Sequence, residues 1–221
     1  IVFQHGSQDW SDRGTFKINK GNNILIEAFA KYLAVDNKDK DSALVLIEYG
    51  SDVNKSKELI AKLKIESNVV WLPKMQRKDI MLAISNSDIG VGELGKRHWF
   101  SYSCAFEFMT MKKPMIHHRN DAFYKAKGLD LYPMVDANSV QKVYDTFIDY
   151  RKNPTKYIQM GKDAFEWLKR RNDICVGEFT KLMASKHETS NVIHNYFVKR
   201  CSFFLQPSVI RSYFFMIYPQ I

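Results

Sequence analysis

The chain has 221 residues, 45% of them hydrophobic and 26% charged, so it is long enough to fold as one large domain with a buried core. Its net charge of +9 suits a phosphate-bearing ligand or an anionic membrane surface, or else marks a lysine-rich solvated surface. Because the basic residues are scattered along the chain, nucleic acid is not an expected partner. Three widely spaced cysteines favour a reducing, cytoplasmic setting. No apolar run approaches the roughly 20 residues of a membrane span.

Apolar runs and helical periods alternate along the chain. An apolar run at residues 1–3 predicts the first strand, and a helical period begins at Lys20 after a long polar loop. Because the chain starts inside this run and without a methionine, we expect a fragment of a longer protein. Further apolar runs predict strands at residues 43–47, 68–72, 87–92, 114–116 and 131–135. Helical periods follow them, the last beginning at Pro154, a residue that suits the first turn of a helix.

This alternation predicts an α/β fold with a doubly wound parallel sheet, Rossmann-like, followed by C-terminal helices. Strands without a polar interruption, such as residues 43–47, are typical of a parallel sheet that is covered on both faces. We place this domain at residues 1–186. The composition changes after it, because residues 187–221 are rich in aromatics and carry one acidic residue, Glu188. This tail is either a packing arm or sequence foreign to the fold, and we expect little function in it.

One carboxylate, Glu107, lies in an otherwise apolar helical segment at residues 105–109. An unpaired carboxylate is costly to bury, so a partner is expected to meet it. In open α/β sheets, ligands bind at the loops that follow the strands, and the segment lies just after the predicted strand at residues 87–92. Glu107 is therefore a candidate site residue. The structural alternative is an ion pair with Lys112, Lys113 or Arg97.

Several stretches, taken in order, resemble one enzyme family. They are residues 20–29 (KGNNILIEAF), 43–50 (ALVLIEYG), 68–72 (NVVWL), 87–92 (SDIGVG) and 106–114 (FEFMTMKKP). Together they resemble the C-terminal, donor-binding half of a GT-B glycosyltransferase of family four (glycosyl transferases group 1). The resemblance covers about residues 1–185.

The resemblance implies a retaining, metal-independent transfer of a hexosyl group from a nucleoside diphosphate sugar, which is a substrate, so no cofactor is expected. It also implies that the donor lies between this domain and an acceptor-binding domain outside this chain. That second domain would hold an acceptor glycan or lipid, and peripheral membrane contact is possible. A fragment without it is expected to be inactive alone.

The resemblance also assigns roles to individual residues. Lys20 would neutralise the donor diphosphate at a helix start, although a lysine there can also be simply solvated. Gly6 and Ser7 form the turn where the backbone approaches the donor. The arginine that the family often has just after its first strand is Gln8 here, and Arg13, Lys17 or Arg97 would take its place. Glu107 would accept hydrogen bonds from the ribose hydroxyls of the nucleoside.

The loop before the Glu107 helix departs from the family pattern. The position of the family's first glutamate is Trp99 here, while Glu93 lies nearby but out of register. The loop that contains Trp99, Ser101 and Ser103 would place backbone amides near the diphosphate. No His, Cys, Asp or Glu set has metal-ligand spacing, so no metal site is expected.

Two other functions remain open from the sequence. One is a nucleotide-sugar epimerase of the same GT-B architecture, for which the additional acid–base residues are not identified. The other is a degenerate, non-catalytic domain that acts as a binding module through its basic face and aromatic tail. The histidines His5 and His98 are candidate phosphate or acid–base groups, or else ordinary strand-end and loop residues.

Overall fold

The computed structural model describes residues 1–11, 19–35, 41–95 and 103–184. The chain divides into two compact units, Ile1–Leu168 and Lys169–Ile221. In the described residues the strands are β1 (Val2–Gln4), β2 (Leu44–Ile47), β3 (Val69–Leu72), β4 (Ile89–Val91), β5 (Met115–His117) and β6 (Val135–Asp136). The helices are α1 (Asn22–Val35), α2 (Val53–Leu63), α3 (Arg77–Ser85), α4 (Ser103–Thr110), α5 (Asp121–Ala126), α6 (Val140–Lys152) and α7 (Pro154–Ala184). Of the second unit, the structure describes residues 169–184, which belong to α7.

The described strands form one parallel sheet in the order β3-β2-β1-β4-β5-β6. The register is fixed at the centre, where Phe3 of β1 lies opposite Val45 of β2 and Gly90 of β4. This confirms the predicted Rossmann-like α/β class. The chain order reverses between β1 and β4, and such a reversal opens a crevice at the carboxyl ends of the two strands.

Helices cover both faces of the sheet. Neighbouring residues of a strand point to opposite sides, so each strand contributes side chains to the packing on both faces. Val2 joins the apolar cluster that includes Phe29 of α1 and Phe147 of α6. The adjacent Phe3 makes an edge-to-face contact with Phe108 of α4, with ring centroids 6.3 Å apart. Glycine at position 90 permits this packing, since a Cβ there would lie 2.3 Å from the Phe108 ring. The close packing against Gly90 fixes where α4 sits, and α4 carries Glu107.

Two elements differ from the sequence prediction. The predicted strand at residues 131–135 is reduced to β6 at Val135–Asp136, because Pro133 has no N–H for a ladder and the Tyr132 carbonyl accepts from Arg119 Nη1 at 2.6 Å. Helix α5 was not predicted. It begins at the cap Asn120, whose side chain accepts a hydrogen bond from the Phe123 N–H at 3.0 Å.

Candidate functional site

The crevice at the carboxyl ends of β1 and β4 gathers charged residues that the sequence singled out. Lys20 lies in the loop between β1 and α1, Glu93 follows β4, and Glu107 lies on α4. Glu93 is 7% exposed and Glu107 is 6% exposed. Buried carboxylates need partners, so the contacts of each side chain determine what the crevice can bind.

Lys20 and Glu93 form an ion pair, with Lys20 Nζ 3.6 Å from Glu93 Oε1. The backbone joins the same two loops, because the Leu94 N–H donates to the Lys20 carbonyl at 2.9 Å. Glycine is required on both sides: a Cβ at Gly95 would lie 1.9 Å from the Asn19 carbonyl oxygen, and Gly21 has a φ of +70° beside the backbone of the other loop. Main-chain contact therefore sets the spacing of the two backbone segments that carry Lys20 and Glu93.

The end of β5 holds the peptide groups around Glu93 in place. The Glu93 N–H donates to His117 Nδ1 at 3.0 Å, and the Glu93 carbonyl accepts from the His118 N–H at 2.9 Å. A Cβ at Gly92 would lie 2.5 Å from His117 Nδ1, so glycine lets the ring approach. Burial lowers the pKa of His117 to about 4, against the opposing effect of the Glu93 carboxylate. The ring is therefore neutral at pH 7 and accepts through Nδ1.

Glu107 is held by an ion pair with a neighbouring element, since its Oε1 lies 3.2 Å from Arg77 Nη2. Its Oε2 lies 3.1 Å from His5 Nε2, but the described residues give that nitrogen no aligned hydrogen-bond partner. Two of the partners considered from the sequence are engaged elsewhere. Lys113 donates to the Ser87 carbonyl at 2.7 Å, and the Lys112 ammonium lies 4.6 Å from the centre of the Phe165 ring. Glu107 is thus fixed by the Arg77 ion pair and packed beside the His5 imidazole.

His5 stands at the end of β1 between the charged groups. Its ring packs on Phe108 with centroids 5.4 Å apart, and its side chain is almost fully buried. Burial lowers the pKa of His5 below its ordinary value; Glu107 opposes this effect, while Arg77 and Lys20 add to it. Lys20 contacts Glu93 just after β4, and Glu107 lies beside His5 just after β1. Because β1 and β4 are neighbours, the two predicted site residues lie at the same edge of the sheet.

Buried amide side chains link β1, α1 and β4 beneath the crevice. Asn22 Nδ2 donates to Gln4 Oε1 at 2.9 Å and to the Ser7 carbonyl at 3.3 Å. Gln4 Nε2 in turn donates to the Gly92 carbonyl at 3.2 Å. The predicted turn residue Ser7 is therefore buried and tied to the start of α1, whereas a Cβ at Gly6 would meet no atom within 4 Å. The space beside Gly6 leaves its backbone open to a ligand.

The loop after β1 is fastened to the start of α2 by one buried carboxylate. Asp52 is 1% exposed and accepts from the Trp10 N–H at 2.8 Å, the Ser11 N–H at 2.9 Å and the Ser11 hydroxyl at 2.6 Å. Trp10 Nε1 also donates to Ser56 Oγ at 2.8 Å. These bonds fix Trp10 and Ser11 against the start of α2.

Some predicted site residues lie outside the described part of the chain, namely Arg13, Trp99 and Ser101, together with Lys17, Arg97, His98 and the tail at residues 187–221. Ser103 is the first residue of α4.

Sequence reasoning did not select Arg77 or His117 as site residues. A signal for Arg77 was available, because a cation at the first position of a helix opposes the helix dipole and so implies a nearby anion.

The described residues hold no group of three His, Cys, Asp or Glu side chains placed to bind a metal ion. Among the same residues, no helix is both long enough and apolar enough to cross a membrane.

The strand order defines a Rossmann-like domain with charged residues gathered at its switch point. No protein-family model and no curated protein matches the sequence. Solved structures do match. The C-terminal domain of a glycosyl transferase group 1 family protein (LpcC) from Francisella tularensis has a TM-score of 0.57 at 16% identity, over 76% of this chain and 84% of that one.

Two further solved structures place the domain in the same architecture. HepE of Anabaena in complex with UDP has a TM-score of 0.60 at 16% identity, over 83% of this chain and 48% of that chain. The catalytic domain of a cholesterol-α-glucosyltransferase from Helicobacter pylori has a TM-score of 0.53 at 14% identity, over 75% and 95% of the two chains. This chain thus spans about half the length of HepE. It has the fold of the C-terminal domain of GT-B glycosyltransferases of group 1, as the resemblance implied.

Proposed function

We propose that this chain is the donor-binding domain of a glycosyltransferase and holds a nucleoside diphosphate sugar in the crevice between β1 and β4. The observation that carries the proposal is the placement of Lys20, beside Glu93 after β4, and of Glu107, beside His5 after β1, at the carboxyl edge of two neighbouring strands. The proposed reaction is a retaining transfer of a hexosyl group without a metal ion. The HepE structure with UDP, which shares the fold, supports a nucleotide ligand.

The diphosphate would lie against Lys20 and the start of α1. Backbone N–H groups at a helix N-terminus favour an anion, and the ammonium group adds a full positive charge. Lys20 stands just before that N-terminus and is only partly exposed, so it is already positioned at the helix start. During transfer these groups would stabilise the negative charge that develops on the leaving diphosphate.

The ribose would bind at Glu107. A carboxylate offers about four acceptor positions, and Arg77 and His5 contact one oxygen each. Counting partners among the described residues, acceptor positions on both oxygens remain for the two ribose hydroxyls. Because the Arg77 ion pair already orients the group, little side-chain ordering would be needed when the nucleoside binds.

The proposal also covers the rest of the enzyme. A second domain outside this chain would hold the acceptor, a glycan or a lipid, and this fragment alone would transfer no sugar. We also propose a cytoplasmic location and a peripheral contact with a membrane surface. Sugar transfer by the longer protein that carries this domain would distinguish an enzyme from a non-catalytic module of the same fold.

Isothermal calorimetry of the 221-residue chain with UDP and with GDP tests the proposal. We expect one of the two to bind and the Lys20→Gln variant to bind it about tenfold more weakly, because a charge-assisted contact to phosphate is lost. Lys62→Gln, which removes an exposed lysine of α2, is the control and should bind as the wild type does. No heat with either nucleotide at millimolar concentration would contradict the proposal.

The 2′,3′-dideoxy form of the bound nucleotide tests Glu107 separately. The wild type should prefer the ribose form by roughly tenfold, and Glu107→Gln should lose most of that preference, since its amide keeps only one oxygen as an acceptor. An equal preference in the wild type and in the variant would remove Glu107 from the ribose site while leaving the diphosphate site intact.

A further inference from the structure

We infer that Glu93 is a specificity-determining residue that makes this crevice favour an esterified diphosphate over a free nucleoside diphosphate. The inference rests on the proposed function, because it takes Lys20 as the diphosphate ligand. It concerns the balance between binding the donor and releasing the product of the transfer.

The geometry places a second anion at the cation that would bind phosphate. Glu93 Oε1 lies 3.6 Å from Lys20 Nζ, and the Glu93 side chain is 9% exposed. A phosphate that binds the same ammonium must therefore share it with a carboxylate that water screens poorly. Two anions on one ammonium repel each other, and the repulsion grows with the charge on the phosphate.

Glu93 is held where this repulsion acts. Its peptide groups are fixed by His117 Nδ1 on the N–H side and by the His118 N–H on the carbonyl side. The following residue, Leu94, donates its N–H to the Lys20 carbonyl, so the loop is attached to the backbone of the lysine itself. These bonds fix the main chain of Glu93 beside that of Lys20, and the near-complete burial of the Glu93 side chain limits the positions open to its carboxylate.

The chemistry of the ligands turns this repulsion into selectivity. In a nucleoside diphosphate sugar, the terminal phosphate is esterified and carries one negative charge. Cleavage of the bond between the sugar and the terminal phosphate leaves that phosphate free. The free phosphate loses a further proton with a pKa of about 6, so it carries nearly two negative charges at pH 7.5. The carboxylate therefore penalises the free diphosphate more than the donor, and it favours product release.

The test compares UDP with its β-monomethyl ester by calorimetry at pH 7.5, using the 221-residue chain. The two ligands differ only in the charge and the methyl group of the terminal phosphate. If GDP is the nucleotide that binds, GDP and its β-methyl ester replace them. Glu93→Gln should strengthen binding of the free diphosphate roughly tenfold and binding of the ester no more than about threefold. Glu58→Gln removes an exposed carboxylate of α2 and should leave both affinities unchanged.

The outcomes are distinguishable. Failure of the wild type to bind any of these ligands would overturn the proposed function and this inference with it. If the wild type binds them and Glu93→Gln changes both affinities by the same factor, only the inference falls. Glu93→Ser, which removes the charge with less bulk, takes the place of Glu93→Gln if that variant does not fold, and the same two results decide.

Discussion

At the scale of single residues, His117 connects stability to the site. Its ring is fully buried at the end of β5, and its Nδ1 accepts the N–H of Glu93. A protonated imidazole has no acceptor, so protonation would both bury a charge and break this hydrogen bond. The pKa of the ring is lowered to about 4 for the first of these reasons.

Lowering the pH should therefore destabilise the fold through His117. The unfolded chain binds this proton near pH 6.5 and the folded ring only near pH 4, so the free energy of unfolding falls as pH decreases across that interval. The loss is about 3 kcal/mol at most and is absent above pH 6.5.

Urea unfolding of the wild type and of His117→Asn, measured between pH 4 and 7.5, checks this prediction. Asparagine keeps an acceptor for Glu93 but does not titrate, so the variant should lose less stability on acidification. Parallel pH profiles for the two proteins would contradict the assignment.

The sequence identified site residues whose charge is unfavourable for the segment in which they lie. Glu107 stood out because apolar residues flank it, and Lys20 because a cation opposes a helix start. His117 gave no such signal. Its role depends on the pairing of β5 with β4 and on Gly92, and nothing within its own segment specifies that pairing. Contacts between segments remote in sequence are what a local pattern cannot supply.

At the scale of elements, the first residues after β1 are held by the connection between β2 and α2. Asp52, just before α2, accepts three hydrogen bonds from Trp10 and Ser11. The Gln8 N–H also donates to the Tyr49 carbonyl at 2.7 Å. Residues 8–11 are thus fixed by the β2–α2 connection.

Replacing Asp52 by alanine should cost about 2–4 kcal/mol of unfolding free energy, because three donors lose a buried acceptor at once. Asp52→Asn should cost less, since its oxygen can accept from the two N–H groups while its amide faces the Ser11 hydroxyl. Urea denaturation measures both. Asp163→Ala, on the exposed face of α7, is the control, with an expected change within about 0.5 kcal/mol. Equal effects of the three substitutions would show that Asp52 does not order the loop.

Element types followed from periodicity where a run was long and uniform, as in β2 and α6. They failed where the local sequence is short or mixed. Helix α5 is only six residues long, and its cap Asn120 follows a strand-like run with no apolar period. The sequence predicted a last strand that was too long. Tyr132 lies next to Pro133 and packs on Trp167, so it does not pair in the sheet.

At the scale of the whole molecule, the first unit depends on the start of its last helix. Four hydrophobic side chains of α7 that lie within this unit are buried: Tyr157, Ala164, Trp167 and Leu168. Gly161 lets the helix approach the end of α4, since a Cβ there would lie 2.3 Å from the Lys112 carbonyl oxygen. The described residues of the candidate site all lie within Ile1–Leu168.

A chain that ends at residue 184 should therefore bind its nucleotide as the full chain does and unfold at the same temperature. A chain that ends at residue 152 should not fold, because burial of the large α7 side chains contributes about 1.5–3 kcal/mol each to a total stability of about 5–15 kcal/mol. Circular dichroism and calorimetry check the pair. Loss of nucleotide binding in the chain that ends at residue 184 would assign residues 185–221 a part in the site.

The contact of Gly95 with the Asn19 carbonyl, and of Gly21 with the opposite loop, has a practical consequence for protein engineering. Main-chain atoms set the spacing there, so libraries that randomise Lys20 and Glu93 change the chemical groups offered to a ligand without shifting their anchor points. Altered ligand preference in such libraries can then be attributed to charge and hydrogen-bonding capacity. The same libraries should leave both glycines untouched.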